Sequence, residues 1–249
     1  MLVFKSKSLK PQLLGMYKKV LGKTGARDTT IQFTSTTNGL EIILNNLNWG
    51  MIRFYDGDAE LIEDGSSTFI LADMLELLNF LPVDEFELSY NGADTQNSYL
   101  LNEFPLISVP NVNKFPNTMG SEIRISLENE EKVIKQLTVF NKDLKKSIFP
   151  ESVFLELHFD NNLVRLTTIS PLKQHTEDIE LQDTTVNNSQ SSLYLSKLNI
   201  KMIKALFSKS SVNIISTDTI SKIANQTYEY IIPEYNVRPF VFHPTMKNY

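Results

Sequence analysis

His175, Glu177 and Asp178 fall within one short run, "HTED". A histidine beside two carboxylates is the raw material of a metal site or an acid–base pair. Three polar residues in a loop after a strand are usually solvated, and no second histidine motif accompanies these. Asp56, Asp58 and Glu60 open a second run, "DGDAELIEDG", that resembles a calcium loop. Such a loop needs glycine at its sixth position and glutamate at its twelfth; here those positions hold Leu61 and Ser67. There is no glycine-rich phosphate cradle and no nucleophile elbow. The chain has no cysteine, which removes thiolate nucleophiles, disulfides and cysteine metal sites together. The expectation is a protein that is not an enzyme, with no cofactor and no metal.

Lysine is the residue whose spacing does carry a chemistry. "SKLNIKMIKALFSK" holds Lys197, Lys201, Lys204 and Lys209 and no acid, in a chain of net charge −5. At about 100° per residue, Lys197, Lys201 and Lys204 form one stripe of a helix, opposite Leu198, Met202, Ile203 and Leu206. A helix over 128–147 places Lys132, Lys135, Lys142, Lys145 and Lys146 away from Val133 and Phe140. A helix over residues 8–23 carries Lys10, Lys18, Lys19 and Lys23, with Lys19 and Lys23 opposing Leu14 and Tyr17. Counted over 8–27, 71–81, 128–147 and 195–210, the helical segments and their immediate ends hold 14 of the 24 Lys and Arg but 6 of the 29 Asp and Glu. One basic face on an acidic protein (sequence pI ≈ 5.3) points to a polyanion. Lysine is a point charge suited to phosphate without base readout, and no zinc-finger, RNP or recognition-helix motif occurs. The reading is non-specific binding of double-stranded DNA.

These lysines need a scaffold, and the scaffold is written twice. Ser8 is the expected cap of the first helix, with Pro11 in its first turn. "TTIQFTS" and "LEIILNN" flank Asn38-Gly39, a strong hairpin signal. "GMIRFYDGDAEL" gives a third strand and its exit, and "LADMLELLNFLP" a short helix stopped at Pro82. "EFELSYNG" and "SYLLNEFPLISVP" read as two further strands. After an Asn- and Pro-rich linker at 111–121, the second half repeats the order, with strands "SVFLELHF" and "LVRLTTI", a third ending near "EDIEL", the lysine helix, "SVNIIST" and "QTYEYIIP". A shift of 123 residues lays Asn38-Gly39 on Asn161-Asn162 and Ala72 on Leu195. The expected domains are 1–117, with a linker to about 121, and 122–249 with a C-terminal tail. The fold class is α+β, two duplicated domains with helices on one face of antiparallel sheet. No apolar run approaches the roughly 20 residues of a membrane span, and the first residues carry no signal-peptide pattern, so the chain is expected to be cytoplasmic.

"EDGSSTFILADMLELLNFLPVDEFELSYNG", followed by "YLLNEFPLISVPNVNKFPN", resembles the bacterial beta-clamp domain, with Leu81-Pro82 ending the helix and Phe115-Pro116-Asn117 forming the later turn. "FVFHPTMKNY" resembles the short tail of beta clamps and PCNA. The resemblance covers nearly the whole chain and implies a DNA sliding clamp, a replication processivity factor that encircles duplex DNA and tethers DNA polymerase. Two domains per chain, as in PCNA and the T-even phage clamps, imply a homotrimeric ring, and the small size fits a phage or plasmid clamp at the nucleoid of a bacterial or phage-infected cell. The resemblance also implies a groove that holds short peptides of the polymerase and the clamp loader. Carried over by motif, the groove takes Leu44, Leu47, Asn48, Trp49 and Met51 from the loop after the second strand, Phe115, Pro116 and Met119 from the linker, and Phe242, His243, Pro244 and Met246 from the tail. Trp49, the sole tryptophan, equally suits a core anchor. Two other readings stand beside this one: a monomeric clamp-like regulator that binds a replication protein without encircling DNA, and a small α+β enzyme. Solution mass separates the first, and a pocket of converging titratable groups would mark the second.

Overall fold

Apolar residues alternating on either side of Asn38-Gly39 build the hairpin around which the first unit is organised. In the computed structural model, β2 (Thr29–Thr36) and β3 (Gly39–Asn46) pair in one antiparallel register, from Thr36 opposite Gly39 to Thr29 opposite Asn46. Gly39 takes φ +104, and a Cβ there would lie 2.7 Å from the Asp56 carbonyl oxygen, so the turn requires glycine. The residues described are 2–18, 22–81, 85–91, 98–110, 115–116, 121–125, 154–160, 163–169, 174–180, 185–187, 191–195, 197–207, 211–216 and 220–233. They belong to two units, Met1–Pro116 with Gln226–Tyr230, and Asn117–Asn225 with Ile231–Tyr249.

In the first unit, β4 (Gly50–Asp56) continues the hairpin and β6 (Ser66–Ile70) pairs with β2, giving the order β4-β3-β2-β6. A second sheet has the order β5-β1-β7-β8-β9, from β1 (Val3–Ser6), β5 (Glu60–Glu63), β7 (Phe86–Tyr90), β8 (Ser98–Leu101) and β9 (Phe104–Ile107). Phe4 and Phe86 of this sheet interlock with Phe33 of β2, at ring-centroid distances of 5.2 Å for Phe4–Phe33 and 5.9 Å for Phe33–Phe86. Phe69 of β6 joins Phe33 at 6.2 Å. All four rings are fully buried, so the core lies between two inward faces of alternating strands.

Among the described residues this unit has α1 (Leu9–Met16), α2 (Gly22–Arg27) and α3 (Leu71–Phe80). Of the helix expected over 8–23, the described residues give α1, a helical continuation at Tyr17 and Lys18, and the start of α2 at Gly22; 19–21 lie outside them. Leu9, Leu13 and Met16 form the buried stripe of α1, while Leu14 and Tyr17 are only half-buried. Ser8 makes no capping bond. Ser6 does that work: its hydroxyl accepts the Leu9 N–H at 3.1 Å and donates to buried Asp56. α3 buries Leu71, Met74, Leu75 and Leu78, the i, i+3, i+4, i+7 pattern of a helix laid on a sheet. The single strand expected over 98–110 is broken at Asn102 and Glu103, both with positive φ. The Asn102 side chain accepts the Glu87 N–H and donates to the Glu85 carbonyl, which fixes a tight turn and folds β9 back on β8.

The second unit repeats the order. It contains β10 (Ser121–Ile125), β11 (Phe154–Asp160), β12 (Leu163–Ile169), β13 (Gln174–Glu180), β14 (Thr185–Asn187), β15 (Ser191–Leu195), α4 (Lys197–Phe207), β16 (Val212–Ser216) and β17 (Ile220–Ala224). The order β13-β12-β11-β15 matches β4-β3-β2-β6, and β14-β10-β16-β17 matches β5-β1-β7-β8. Gly39–Asn46 moved on by 123 residues falls on 162–169, and β12 occupies Leu163–Ile169. α4 follows β15 as α3 follows β6, burying Ile200, Met202, Ile203, Leu206 and Phe207. The last strand, β18, runs Tyr228–Pro233. The helix expected over 128–147 lies outside the described residues.

Candidate functional site

The turn between β3 and β4 is held from both sides. Asn46 accepts the Asn48 N–H at 2.8 Å and donates to the Asp28 carbonyl and the Thr29 hydroxyl, each at 3.0 Å. Trp49 is 1% exposed; its ring lies 6.4 Å from that of Tyr230, and its carbonyl accepts the Tyr230 hydroxyl at 2.7 Å. Trp49 is thus a core anchor, not a groove wall. Leu44 is also corrected: it is fully buried, because β3 buries three successive residues, Ile42, Ile43 and Leu44, on both faces of the strand. Leu47 stands 80% exposed at the tip, beside exposed Asn48, while Met51 is half-buried. A turn braced by Asn46 that carries an exposed leucine is suited to anchor an apolar partner.

Met51, Arg53 and Tyr55 alternate along β4 and so share one face. The Arg53 guanidinium lies 4.2 Å from the centroid of the Phe115 ring, pairs with Glu229 and reaches Glu41 at 3.5 Å. Tyr55 donates to Glu41 at 3.1 Å. Burial pushes the Tyr55 hydroxyl above its usual range, and nearby Glu41 and Glu229 act the same way against the opposing charge of Arg53. Phe115 and Pro116 are half-buried, so the arginine fixes the start of the linker through a cation–π contact. The sequence expectations omit Arg53, although its i+2 spacing from Met51 signals it. Met119 and the tail residues Phe242, His243, Pro244 and Met246 lie outside the described residues.

The lysines are distributed unevenly. Lys18 and Lys201 are exposed and Lys204 is half-buried. Lys10 is a correction: its ammonium donates to the Leu81 carbonyl at 2.6 Å, stabilising the negative end of α3, and is committed there rather than to a phosphate. Lys23 and Lys197 lie in helices whose backbone alone is described at those positions, and Lys19, Lys132, Lys135, Lys142, Lys145, Lys146 and Lys209 fall outside the described residues. α3 has no cation; Asp73, Glu76 and Asn79 are exposed, and Phe80 is 79% exposed.

One carboxylate of each run is held structurally, and "HTED" lies within β13 rather than in a loop after a strand. Asp56 is 3% exposed and accepts the Ser6 hydroxyl and, at 3.1 Å, the Asp58 N–H. Asp178 sits opposite Arg165 in the β12–β13 ladder, and the 2.8 Å hydrogen bond from Arg165 holds its carboxyl below the usual range. No group of three or more His, Cys, Asp and Glu able to hold a metal occurs among the described residues, and no described helix is long and apolar enough to cross a membrane.

No protein-family model and no curated protein matches the chain. Solved structures do. The Helicobacter pylori beta clamp, bound to a DNA ligase peptide, superposes with TM-score 0.71 at 14% identity, over 94% of this chain and 66% of that one. The beta chain of DNA polymerase III from Streptococcus pneumoniae gives 0.69 at 12% identity, over 94% and 64%. The DNA polymerase sliding clamp of Bacillus subtilis gives 0.69 at 13%, over 93% and 64%. The chain thus spans slightly less than two thirds of the length of these clamps. Its duplicated sheets and helices are the sliding-clamp fold of the bacterial beta clamps.

Proposed function

We propose that the protein is a sliding clamp, a non-enzymatic processivity factor that encircles duplex DNA in the cytoplasm and tethers a DNA polymerase. The observation that carries this reading is the superposition on beta clamps over 93–94% of the chain. Exposed Lys18 and Lys201 support it, because weak phosphate contacts without base readout let a ring slide. Two units per chain, at about two thirds of a beta-clamp chain, make three copies the number that reaches six units.

The sheet edges support closure. Among the described strands, β9 ends its sheet and β13 ends another, and β9 leaves Phe104 48% and Ile107 76% exposed. An apolar free edge is a liability in a monomer, and a head-to-tail edge contact that closes makes a ring. The expected joint is β9 of one copy against β13 of the next. Short peptides of the polymerase and the loader would dock over Leu47, Asn48, Met51, Phe115 and Pro116, with Met119, Phe242, His243, Pro244 and Met246 completing the groove.

Light scattering over a range of concentrations tests the reading. The expected mass is three times 28.5 kDa, with retention on closed circular DNA and loss from linear DNA. A monomer at every concentration, with no assembly on DNA, overturns encirclement and leaves the clamp-like regulator.

A further inference from the structure

α3 breaks the pattern of the other described helices: it has no lysine or arginine, and its exposed side ends in Asn79 and Phe80. Beside that end is a cleft of about 390 Å³ between α3, α2 and the residues that follow α1. Leu75, 3% exposed, lies at its floor. Tyr17 and Phe80 supply aromatic walls, and Arg27, Glu76 and Asn79 its polar groups.

We infer that this cleft binds one unpaired nucleobase together with its phosphate. The volume is at the small end of the range for ligand sites, roughly 300–1,000 Å³, and suits a single nucleotide rather than a length of peptide. Two aromatic side chains over an apolar floor match a planar ring. An acyl chain would leave three polar groups facing hydrocarbon. Free phosphate would meet the Glu76 charge and leave both rings unused. In a nucleotide each group has a counterpart: Arg27 takes the phosphate, Glu76 accepts a ring amino group, and Asn79 both donates and accepts. Adenine, cytosine and guanine carry an exocyclic amino group and thymine does not, so the cleft disfavours thymine. The sliding-clamp reading enters only through the source of the base, a single-stranded stretch of the encircled DNA. A free nucleotide has the same chemistry.

Fluorescence anisotropy of the full chain tests this, with labelled single-stranded deoxyadenylate and thymidylate oligonucleotides, a duplex of equal length, and adenosine monophosphate as competitor. The adenylate strand is expected to bind more tightly than the thymidylate strand. Phe80→Ala is expected to weaken the adenylate strand about fivefold or more, Phe80→Tyr to restore it, and both to leave duplex affinity unchanged. At 79% exposure neither substitution disturbs the core, and an unchanged melting curve checks that. Full competition by the monophosphate at concentrations matching the strand's nucleotides assigns the cleft to free nucleotide, and its failure to compete assigns it to the strand. Binding of duplex but not of single strands overturns the inference and leaves the clamp reading intact. Binding of single strands sensitive to Phe80, without retention on circular DNA, supports the cleft and overturns the clamp. Equal loss of single-strand and duplex affinity in Phe80→Ala, or no loss in either, overturns the inference.

Discussion

Leu47 and Trp49 stand two residues apart in one turn, and the structure assigns them opposite jobs. Trp49→Ala removes a side chain that is 1% exposed and packed against Tyr230. A buried tryptophan withdraws about 200 Å² from water, which at about 25 cal/mol/Å² is about 5 kcal/mol as an upper bound. Truncations of this kind cost about 3–5 kcal/mol, against a typical total of about 5–15 kcal/mol. Trp49→Ala is therefore expected to lower the urea midpoint severely, read by circular dichroism because the variant has no tryptophan. Trp49→Phe should cost about 1–2 kcal/mol and remain foldable. Leu47, 80% exposed, has little burial to lose, so Leu47→Ala should change stability by less than about 0.5 kcal/mol. On the clamp reading it should still weaken a partner peptide by about tenfold, as loss of an interface anchor does. If Trp49→Ala unfolds at the wild-type midpoint, the tryptophan does not anchor the turn. If Leu47→Ala costs more than about 1 kcal/mol, the tip is packed and the proposed anchor is wrong.

Combined replacement of Lys197, Lys201 and Lys204 by Ala should weaken DNA binding for every sequence. Its salt slope should flatten by about 0.9 for each phosphate that the variant no longer neutralises; an unchanged slope in a salt titration removes α4 from the DNA surface. Stability should decline at alkaline pH, because burial raises the hydroxyls of Tyr55 and Tyr228 above 10.0 and the hydrogen bond to Glu87 raises Lys5 above 10.5. Raised groups stabilise below their ordinary values and lose that contribution as pH climbs through the raised ones, so a melting temperature that stays flat between pH 9 and about 11.5 contradicts those environments.

What can be read in the sequence follows from how local each signal is. Asn38-Gly39 places β2 and β3 because a positive φ at glycine is dictated within the turn itself. "LVRLTTI" matches β12 at its observed limits, since alternation and β-branching agree there. The break at Asn102 and Glu103 is hidden because it uses two residues with side chains at positive φ, and the bonds that hold it reach back to the β7 region. Ser6 is hidden as a cap for the same kind of reason: its partner Asp56 is distant in sequence. At the candidate site, the motif points to the turn and to Phe115, but burial is not legible. Leu44 is core because β3 is covered on both faces, which suppresses the period-two signal. Arg53 escapes notice because its partners, Glu41, Phe115 and Glu229, come from three separate parts of the chain.

α3 and α4 occupy the same place in their units, each following the strand that pairs with the first strand of a hairpin. Their buried sides are alike, Met74, Leu75 and Leu78 in one, Met202, Ile203 and Leu206 in the other. Their outward sides are opposite in charge: α3 shows Asp73 and Glu76, and α4 shows Lys201 without any acid. Packing held the inward residues to one chemistry while the outward residues diverged, which is expected if the outward sides answer to something other than folding. On the clamp reading, a ring of three copies would hold three helices of each kind, and the carboxylates of α3 would offset part of the attraction that the α4 lysines exert on a duplex. Making both helices basic, for instance by Asp73→Lys with Glu76→Lys, should then tighten DNA binding and slow diffusion along it. Faster or unchanged diffusion in single-molecule tracking would place α3 away from the duplex.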